Sequence, residues 1–445
     1  MTGIARTWDR LTVPGKALFI LIPLGAVLTI GLVVTILLFG GTILDILVFN
    51  IGIVRFVAAA TILLLLAPLI AFVIIYMEMK VIALMNLRIG PDRVGPWGTL
   101  LSTVHGLKVL MKEDFTPTQA DSVVFTWAPV VVFGASALSA LVLPFAPGLI
   151  AQDFNLALLY FFAIGGMTVV GLLMGGWSSF NKYSLLGGLR SAAQIVSYEI
   201  PLTLSVVGLI ILAGTLSLNQ IVLQQSGSAL NWYALRQPLG FLIFVIAATA
   251  EANRTPFDLT EADSEIVAGF ATEYSGMRFG FFFFAEYINV FIVSAITVVL
   301  YMGGWNAPFT LPHFALTIDL GSLSGWLLAI VAVVPLLGTL VLAAPVYLFR
   351  SRTRWWVALI IGFVLFNVIA GGLVSLWAYI SFDWVAGLFW FLGKTFTLVF
   401  VFVWLRGTLP RVRIDQLMGF AWKWLLPAAL LNLFVTAIAV AVVGG

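Results

Sequence analysis

The apolar positions of this chain fall into long unbroken runs, not into the alternation of a half-buried strand or the narrow stripe of a surface helix. Runs occupy 17–40, 55–79, 123–146, 154–177, 191–213, 238–251, 279–303, 326–349, 355–380, 385–405 and 421–443, most of them at or above the roughly 20 residues that carry a helix across a bilayer. The run 238–251 is short and crosses if its helix begins in the polar rim or continues past Glu251. The pattern predicts an all-α polytopic membrane protein with about eleven transmembrane helices. The first run follows Arg6, Arg10 and Lys16, as in a signal peptide, but it exceeds the roughly 7–15 apolar residues of one and has no small-residue cleavage site. It is read as a retained span. Between the second and third runs, Leu100, Val104, Leu107 and Met111 recur at helical spacing, with His105, Lys108 and Lys112 on other faces. That spacing predicts an amphipathic helix lying in the membrane surface.

Composition strengthens the membrane reading and removes several functions. Hydrophobic residues make up 62% of the 445 and charged ones 9%, with a mean hydropathy of +1.13, whereas a soluble domain carries roughly 25% charge. With no Cys and 2 His, the chain alone supplies no disulfide framework, thiolate cluster or structural zinc, so any redox centre belongs to a partner. The formal charge is only +3. If the N-terminus is cytoplasmic and the spans alternate, all of the 22 Lys and Arg except Arg55, Arg236 and Lys394 fall inside. The basic residues thus predict orientation in the cell's inner (plasma) membrane, with an external C-terminus, and no binding of nucleic acid. Trp97, Trp127, Trp177, Trp232, Trp305, Trp355 and Trp356 lie near span ends and are read as interfacial anchors.

Charge inside such a chain is costly, so its placement is the main functional signal. One concentration runs from Glu78 to Pro117, where Gly90-Pro91 and Gly95-Pro96 impose irregular backbone. Its bland reading is a snorkelling, lipid-facing loop, although Glu113 and Asp114 beside Lys112 disfavour pure attraction to anionic headgroups. A second spans 251–278, with Glu251, Asp258, Glu261, Asp263, Glu265 and Glu273 against Arg254 and Arg278. Crowded acids can exchange protons, and a solvated acidic face pairing with a partner subunit stands beside that reading. The third comprises Glu199, Glu286 and Lys394, each inside a span. Either a polar path through the membrane or a structural ion pair, Glu with Lys, accounts for them.

At these segments the sequence resembles the quinone-channel membrane subunit of respiratory complex I, the H-subunit family of bacteria. The resemblance rests on E-x-K and L-R-I-G-P-x-R-V-G-P at 78–96, K-E-D-x-x-P at 112–117, and N-K-Y-S-L-L-G-G-L-R-S-A-A-Q-I-V-S-Y-E at 181–199. It continues through 251–287, with R-T-P-F-D-L, E-Y-S-G and A-E-Y, and in L-P-R-V-R-I-D-Q at 409–416. Two positions depart from it: Met79 stands where the family usually has Arg, and Asn86 where it usually has Gln.

The resemblance implies an eight-span core at the heel of a membrane arm, and hence four parts of this chain. These are an N-terminal extension with one extra span (1–54), the core with its channel loops (55–305), an insertion with two extra spans (306–384), and the two-helix end of the core (385–445). It assigns Glu78, Lys80, Arg88, Arg190, Arg254 and Asp258 to a quinone channel. Glu199, Glu251, Glu261, Asp263, Glu265, Glu273 and Glu286 fall to a proton path, to which Lys394 is added by its depth in a span. The substrate implied is quinone, with no cofactor held by this chain alone and no metal site. Iron–sulfur clusters, flavin and NADH are expected in partners: the peripheral-arm quinone-site subunits, beside neighbouring small membrane subunits and lipid. The expected function is thus a non-catalytic subunit of a proton-pumping NADH-quinone oxidoreductase. A subunit of a related membrane-bound hydrogenase or ferredoxin-fed complex is the alternative, ahead of a stand-alone transporter.

Overall fold

The computed structural model describes residues 52–258, 268–308 and 383–443. Helix α1 (Gly52–Met85) leads, and the chain divides into two compact units within it, Met1–Leu65 and Leu66–Gly445. Of the first unit the helix's opening turns are described, and all other described elements belong to the second. After α1 come α2 (Leu101–Leu110), α3 (Ser122–Ser139), α4 (Ala157–Ser178) and α5 (Lys182–Ala213). Two short helices, α6 (Leu218–Gln224) and α7 (Tyr233–Arg236), precede α8 (Pro238–Glu251) and α9 (Gly276–Tyr301). The chain closes with α10 (Asp383–Thr408), α11 (Ile414–Phe420), a π-helical turn at Ala421–Leu425, and α12 (Leu426–Val443).

Among the described residues, seven helices are long and apolar enough to cross a membrane, and α8 is a shorter apolar one. They coincide with the runs expected between 55 and 303 and after 385. The runs 17–40, 326–349 and 355–380 lie outside the described residues, so the N-terminal extension and the insertion carry no structural account. Two helices begin earlier than hydropathy indicates. Helix α5 starts at Lys182, not 191, because Lys182 and Arg190 depress the hydropathy of turns that Asn181 nonetheless caps, its side chain accepting from the Tyr183 N–H at 2.9 Å. The last span likewise starts at Ile414 and passes through the π-helical turn.

Helix α9 is the central element: 78% of its apolar window is buried, against half or less for every other span. It packs on α3, α10, α2 and α6, while α5 packs on α4, α8 and α12. Phe125, Ala128 and Val132 of α3, Val169 and Leu172 of α4, Ala192 and Ile195 of α5, and Phe282 and Ala285 of α9 share one core with Tyr274. Small residues set the approach of the helices, as bilayer packing requires. A Cβ on Gly171 would sit 2.5 Å from Val132 Cγ2, and one on Gly176 2.9 Å from the Ser184 carbonyl oxygen. On α12, Leu431, Phe434, Val435, Ile438 and Val442 leave an exposed apolar stripe at helical spacing, suited to an acyl surrounding.

Helix α2 forms where the spacing predicts a helix, with Leu100, Val104, Leu107 and Met111 exposed around it and Gly106 pressed toward the Phe72 ring. The tryptophans divide. Trp97, Trp127 and Trp177 are exposed, as anchors are; Trp305 is buried, and Trp232 lies beneath the Lys394 ammonium, 4.8 Å from its ring centre. Trp305 is withdrawn from lipid by the turn after α9, against whose Gly303 the half-buried Trp232 also packs.

Candidate functional site

The site is built on the C-terminal turns of α1 and α10, the first half of α9 and two loops. Seven residues of α1 and its following loop, Ile75, Glu78, Met79, Ile82, Ala83, Arg88 and Ile89, line a cavity of about 370 Å³ with Gly90, Pro91 and Tyr287 of α9. The hollow is open to one side, its wall more apolar than polar, and its volume lies within the roughly 300–1,000 Å³ of ligand pockets. The loop is shaped by glycine: Gly98 has φ +78°, and a Cβ there would fall 2.4 Å from the Pro91 carbonyl carbon, so the chain folds back on itself to form the rim.

Behind this wall runs an alternation of charge. Arg254 lies 3.5 Å from Glu78 and 3.8 Å from Glu286, with its guanidinium 4.3 Å from the Tyr287 ring centre. Arg406 donates to Glu78 and lies 4.0 Å from Asp258, which also pairs with Arg411 at 3.2 Å. Among the described residues, three carboxylates thus meet three guanidiniums in alternation. Glu78, Arg254 and Asp258 are buried. Taking such charges from water is tolerable only when each is matched, and the alternation supplies the match.

The described parts of the segment, 250–258 and 268–275, are held in place by α5 and its cap. Gln194, buried, directs its amide nitrogen at the Ala250 carbonyl (2.8 Å), Asn253 Oδ1 (3.2 Å) and the Phe257 carbonyl (2.7 Å), fixing the turn that carries Arg254 and Asp258. Ser184 Oγ donates to the Phe270 carbonyl at 2.9 Å, and Asn181 Nδ2 to Glu273 at 2.6 Å. The stretch 409–416 joins from the far end of the chain: the Val412 N–H donates to the Pro256 carbonyl at 3.0 Å, which brings Arg411 to Asp258. Next to these, Tyr274 stacks on Phe125 with centroids 4.0 Å apart, donates to the Phe125 carbonyl at 3.1 Å and shares a hydrogen bond with Ser178 Oγ. Burial pushes its hydroxyl up to about 12, against the opposing pull of Ser178 and Arg278.

A second, smaller cavity of about 20 Å³ lies within the bundle, lined by Ser136, Ser139, Thr168, Glu199, Glu251 and Asn289, with Phe161, Phe162, Gly165, Ile195 and Ile292. It is large enough for about one water. Glu199 of α5 and Glu251 at the end of α8 face it together. Asn289, one turn along α9 from Glu286, donates to the Glu251 carbonyl at 3.5 Å.

Of the residues singled out by sequence, Glu78 and Arg88 line the larger cavity, and Arg254, Asp258 and Glu286 stand in the network behind it. Lys80 is half-buried, 6.0 Å from the Tyr76 ring centre, and Arg190 is half-buried on α5. Glu273 anchors Asn181; Glu261, Asp263 and Glu265 lie outside the described residues. Lys394 is not held by a glutamate: its ammonium donates to the Met302 carbonyl at 2.7 Å and the Asn306 carbonyl at 2.9 Å, at the C-terminal end of α9. A cation there complements the helix dipole. Arg406, Arg411, Gln194, Tyr287 and Asn289 were missed. The two arginines had been counted as orientation charges, although the L-P-R-V-R motif marked their segment. Among the described residues, no group of His, Cys, Asp and Glu is arranged to hold a metal.

A bundle of membrane-length helices with a ligand-sized cavity, backed by buried carboxylates and arginines, defines a polytopic α-helical membrane protein with ionisable groups set beside a cavity. The chain belongs to the NADH dehydrogenase family, whose profile matches residues 57–437. It is 41% identical over 380 residues to the NADH-quinone oxidoreductase H-subunit 1 of Solibacter usitatus, a match covering 82% of this chain and 91% of that one. Similar relatives are the NADH-quinone oxidoreductase H subunits of Anoxybacillus flavithermus, 41% identical over 81% of this chain and 86% of the relative, and of Brevibacillus brevis, 39% identical over 88% and 94%.

Proposed function

We propose that this chain is the H-type membrane subunit of a NADH-quinone oxidoreductase, the proton-pumping complex I, and that it forms the chamber through which quinone reaches its site of reduction. The observation carrying the reading is the cavity of about 370 Å³ walled by Glu78, Met79, Arg88 and Tyr287 and backed by the network of Glu78, Arg254, Glu286, Arg406, Asp258 and Arg411. Apolar side chains accept the quinone tail, while the network of opposed charges gives the chamber fixed dipoles. The electrons come from iron–sulfur clusters, flavin and NADH of partner subunits, and this chain is not catalytic alone. Quinone reduction consumes electrons and protons in equal number, so a headgroup being reduced draws on protonatable neighbours.

The chain's own residues then couple that demand to the membrane interior. Glu286 stands at the network's inner end, Asn289 one turn further on, and Glu199 with Glu251 around the smaller cavity, which makes a continuous series of polar groups within apolar helices. By sequence, Glu261, Asp263 and Glu265 add carboxylates to the same acidic stretch, while Lys394 fastens the C-terminal end of α9 through the Met302 and Asn306 carbonyls. The protein sits in the plasma membrane with a cytoplasmic N-terminus. Purification in mild detergent tests the assignment: co-elution with iron–sulfur subunits and NADH-driven, quinone-dependent turnover are expected. Hydrogen evolution without need of quinone would transfer the chain to the hydrogenase relatives.

A further inference from the structure

Two adjacent glycines on α4, Gly165 and Gly166, have a role that the polar series of Glu286, Asn289, Glu199 and Glu251 leaves unassigned. Glycine inside a helix costs about 1 kcal/mol relative to alanine, so a pair of them calls for a physical reason. Further along α4 that reason is close packing: a Cβ on Gly171, Gly175 or Gly176 would meet Val132, Phe282 or Ser184 at 2.5, 3.2 and 2.9 Å. At the pair the surroundings differ. Among the described residues and apart from α4 itself, what a Cβ would meet within 4 Å is Glu251 Oε1 at 3.8 Å for Gly165, and Glu199 Oε1 at 3.9 Å for Gly166. Each glycine therefore fronts one of the two carboxylates, and Gly165 forms part of the wall of the cavity of about 20 Å³ that the carboxylates share with Ser136, Ser139, Thr168 and Asn289.

A methyl group at either position would make ordinary contact and collide with nothing, so packing does not demand glycine there. It would, however, cover a carboxylate oxygen with hydrocarbon and take room from a space that holds about one water. We propose that Gly165 and Gly166 are positioning residues of the proton path, keeping a hydrated gap open between Glu199 and Glu251. This rests on the reading of those carboxylates as proton carriers. In the transfer, a protonated carboxyl of one gives its proton to the water, which passes one of its own to the carboxylate of the other. Charge and atoms balance, and no redox partner is needed.

The test uses the whole complex in sealed vesicles, following assembly, quinone reduction and protons moved per quinone. Gly165→Ala is expected to assemble normally and to move protons about tenfold more slowly, the effect of losing one hydrogen bond to a charged group along the path. Gly166→Ala is expected to act in the same direction. Gly165→Ser, whose hydroxyl can donate and accept, should recover most of the rate, and Gly134→Ala, with nothing within 4 Å of its Cβ, should match the unmodified complex. Normal pumping by Gly165→Ala, equal losses in the alanine and serine variants, or a loss of assembly in proportion to pumping would each overturn the proposal. Glu251→Gln separates the two claims. If it fails to pump while Gly165→Ala pumps normally, the carboxylate reading stands and the glycine role falls; if Glu251→Gln pumps normally, both fall.

Discussion

Replacing Arg254 by Met removes the cation at the centre of the network while roughly keeping the volume of its side chain. Arg254 is 4% exposed and lies 3.5 Å from Glu78 and 3.8 Å from Glu286, whose side chains are 10% and 20% exposed. At an effective dielectric of about 20, each pair carries an attraction of roughly 4–5 kcal/mol. Much of this offsets the desolvation of the ions, so the observable is the cost of breaking a buried pair, about 3–5 kcal/mol. The loss should exceed that of Arg411→Met. Arg411 has a guanidinium 38% exposed, and Asp258 keeps Arg406 at 4.0 Å, so solvent screening limits the effect to about 1 kcal/mol or less. Adding Glu286→Gln to Arg254→Met removes one of the two anions that have lost this cation, while Glu78 keeps Arg406, and should recover part of the stability. Arg254→Lys should rescue poorly, since a compact ammonium cannot both bridge two carboxylates and stack over Tyr287. The assay is denaturant- or heat-induced loss of the assembled complex, with quinone reduction measured in parallel. If Arg254→Met is no more harmful than Arg411→Met, and the double variant gains nothing, the network does not work as a matched set of buried charges.

Tyr274→Phe keeps the stack on Phe125 and removes the hydroxyl, which should cost about 0.5–1.5 kcal/mol in thermal stability. Because burial raises that hydroxyl to about 12, its neutral form contributes stability that is complete below the ordinary value of 10.0 and is lost as pH rises through about 12. Melting curves should therefore fall more steeply between pH 10 and 12 in the unmodified protein than in Tyr274→Phe, and parallel curves would refute the assignment. Lys394→Met should lower stability by about 1.5–3 kcal/mol through loss of two charge-assisted bonds to the Met302 and Asn306 carbonyls, and leave quinone turnover intact. Retained stability with abolished pumping would make Lys394 a relay. For orientation, a cysteine at the exposed Ser226 should react with an impermeant reagent from outside intact cells, and one at the exposed Thr118 should not. The reverse pattern would invert the topology.

Much of the architecture was legible because a bilayer leaves little choice: an apolar run of sufficient length has to be a helix with its backbone bonds satisfied internally. The errors were at helix ends. Lys182 and Arg190 masked the first turns of α5, whose start is fixed by the Asn181 cap and not by hydropathy. The site was legible as a set of costly residues but not as a geometry. Glu78 and Arg406 meet across 328 residues, and neither local spacing nor periodicity announces that contact. Glu199 and Glu251 stood in different groups by sequence and face one cavity in the fold. Lys394 was weighed as half of an ion pair because a carboxylate is a visible partner in a sequence, whereas the carbonyls of Met302 and Asn306 that hold it are shared by every residue type. Trp305 was misjudged for a related reason: closeness to a span end does not reveal whether the following turn folds the ring toward lipid or protein.

The claim that this chain walls the quinone chamber is tested most directly by photolabelling the intact complex with a quinone analogue that carries its reactive group on the tail, then mapping the modified peptides. Labelling concentrated between Ile75 and Pro91 and at the Tyr287 turn, suppressed by excess native quinone and reduced by Met79→Arg, is the predicted result. Labelling of this chain confined to the exposed face of α12, or unaffected by native quinone, would contradict it.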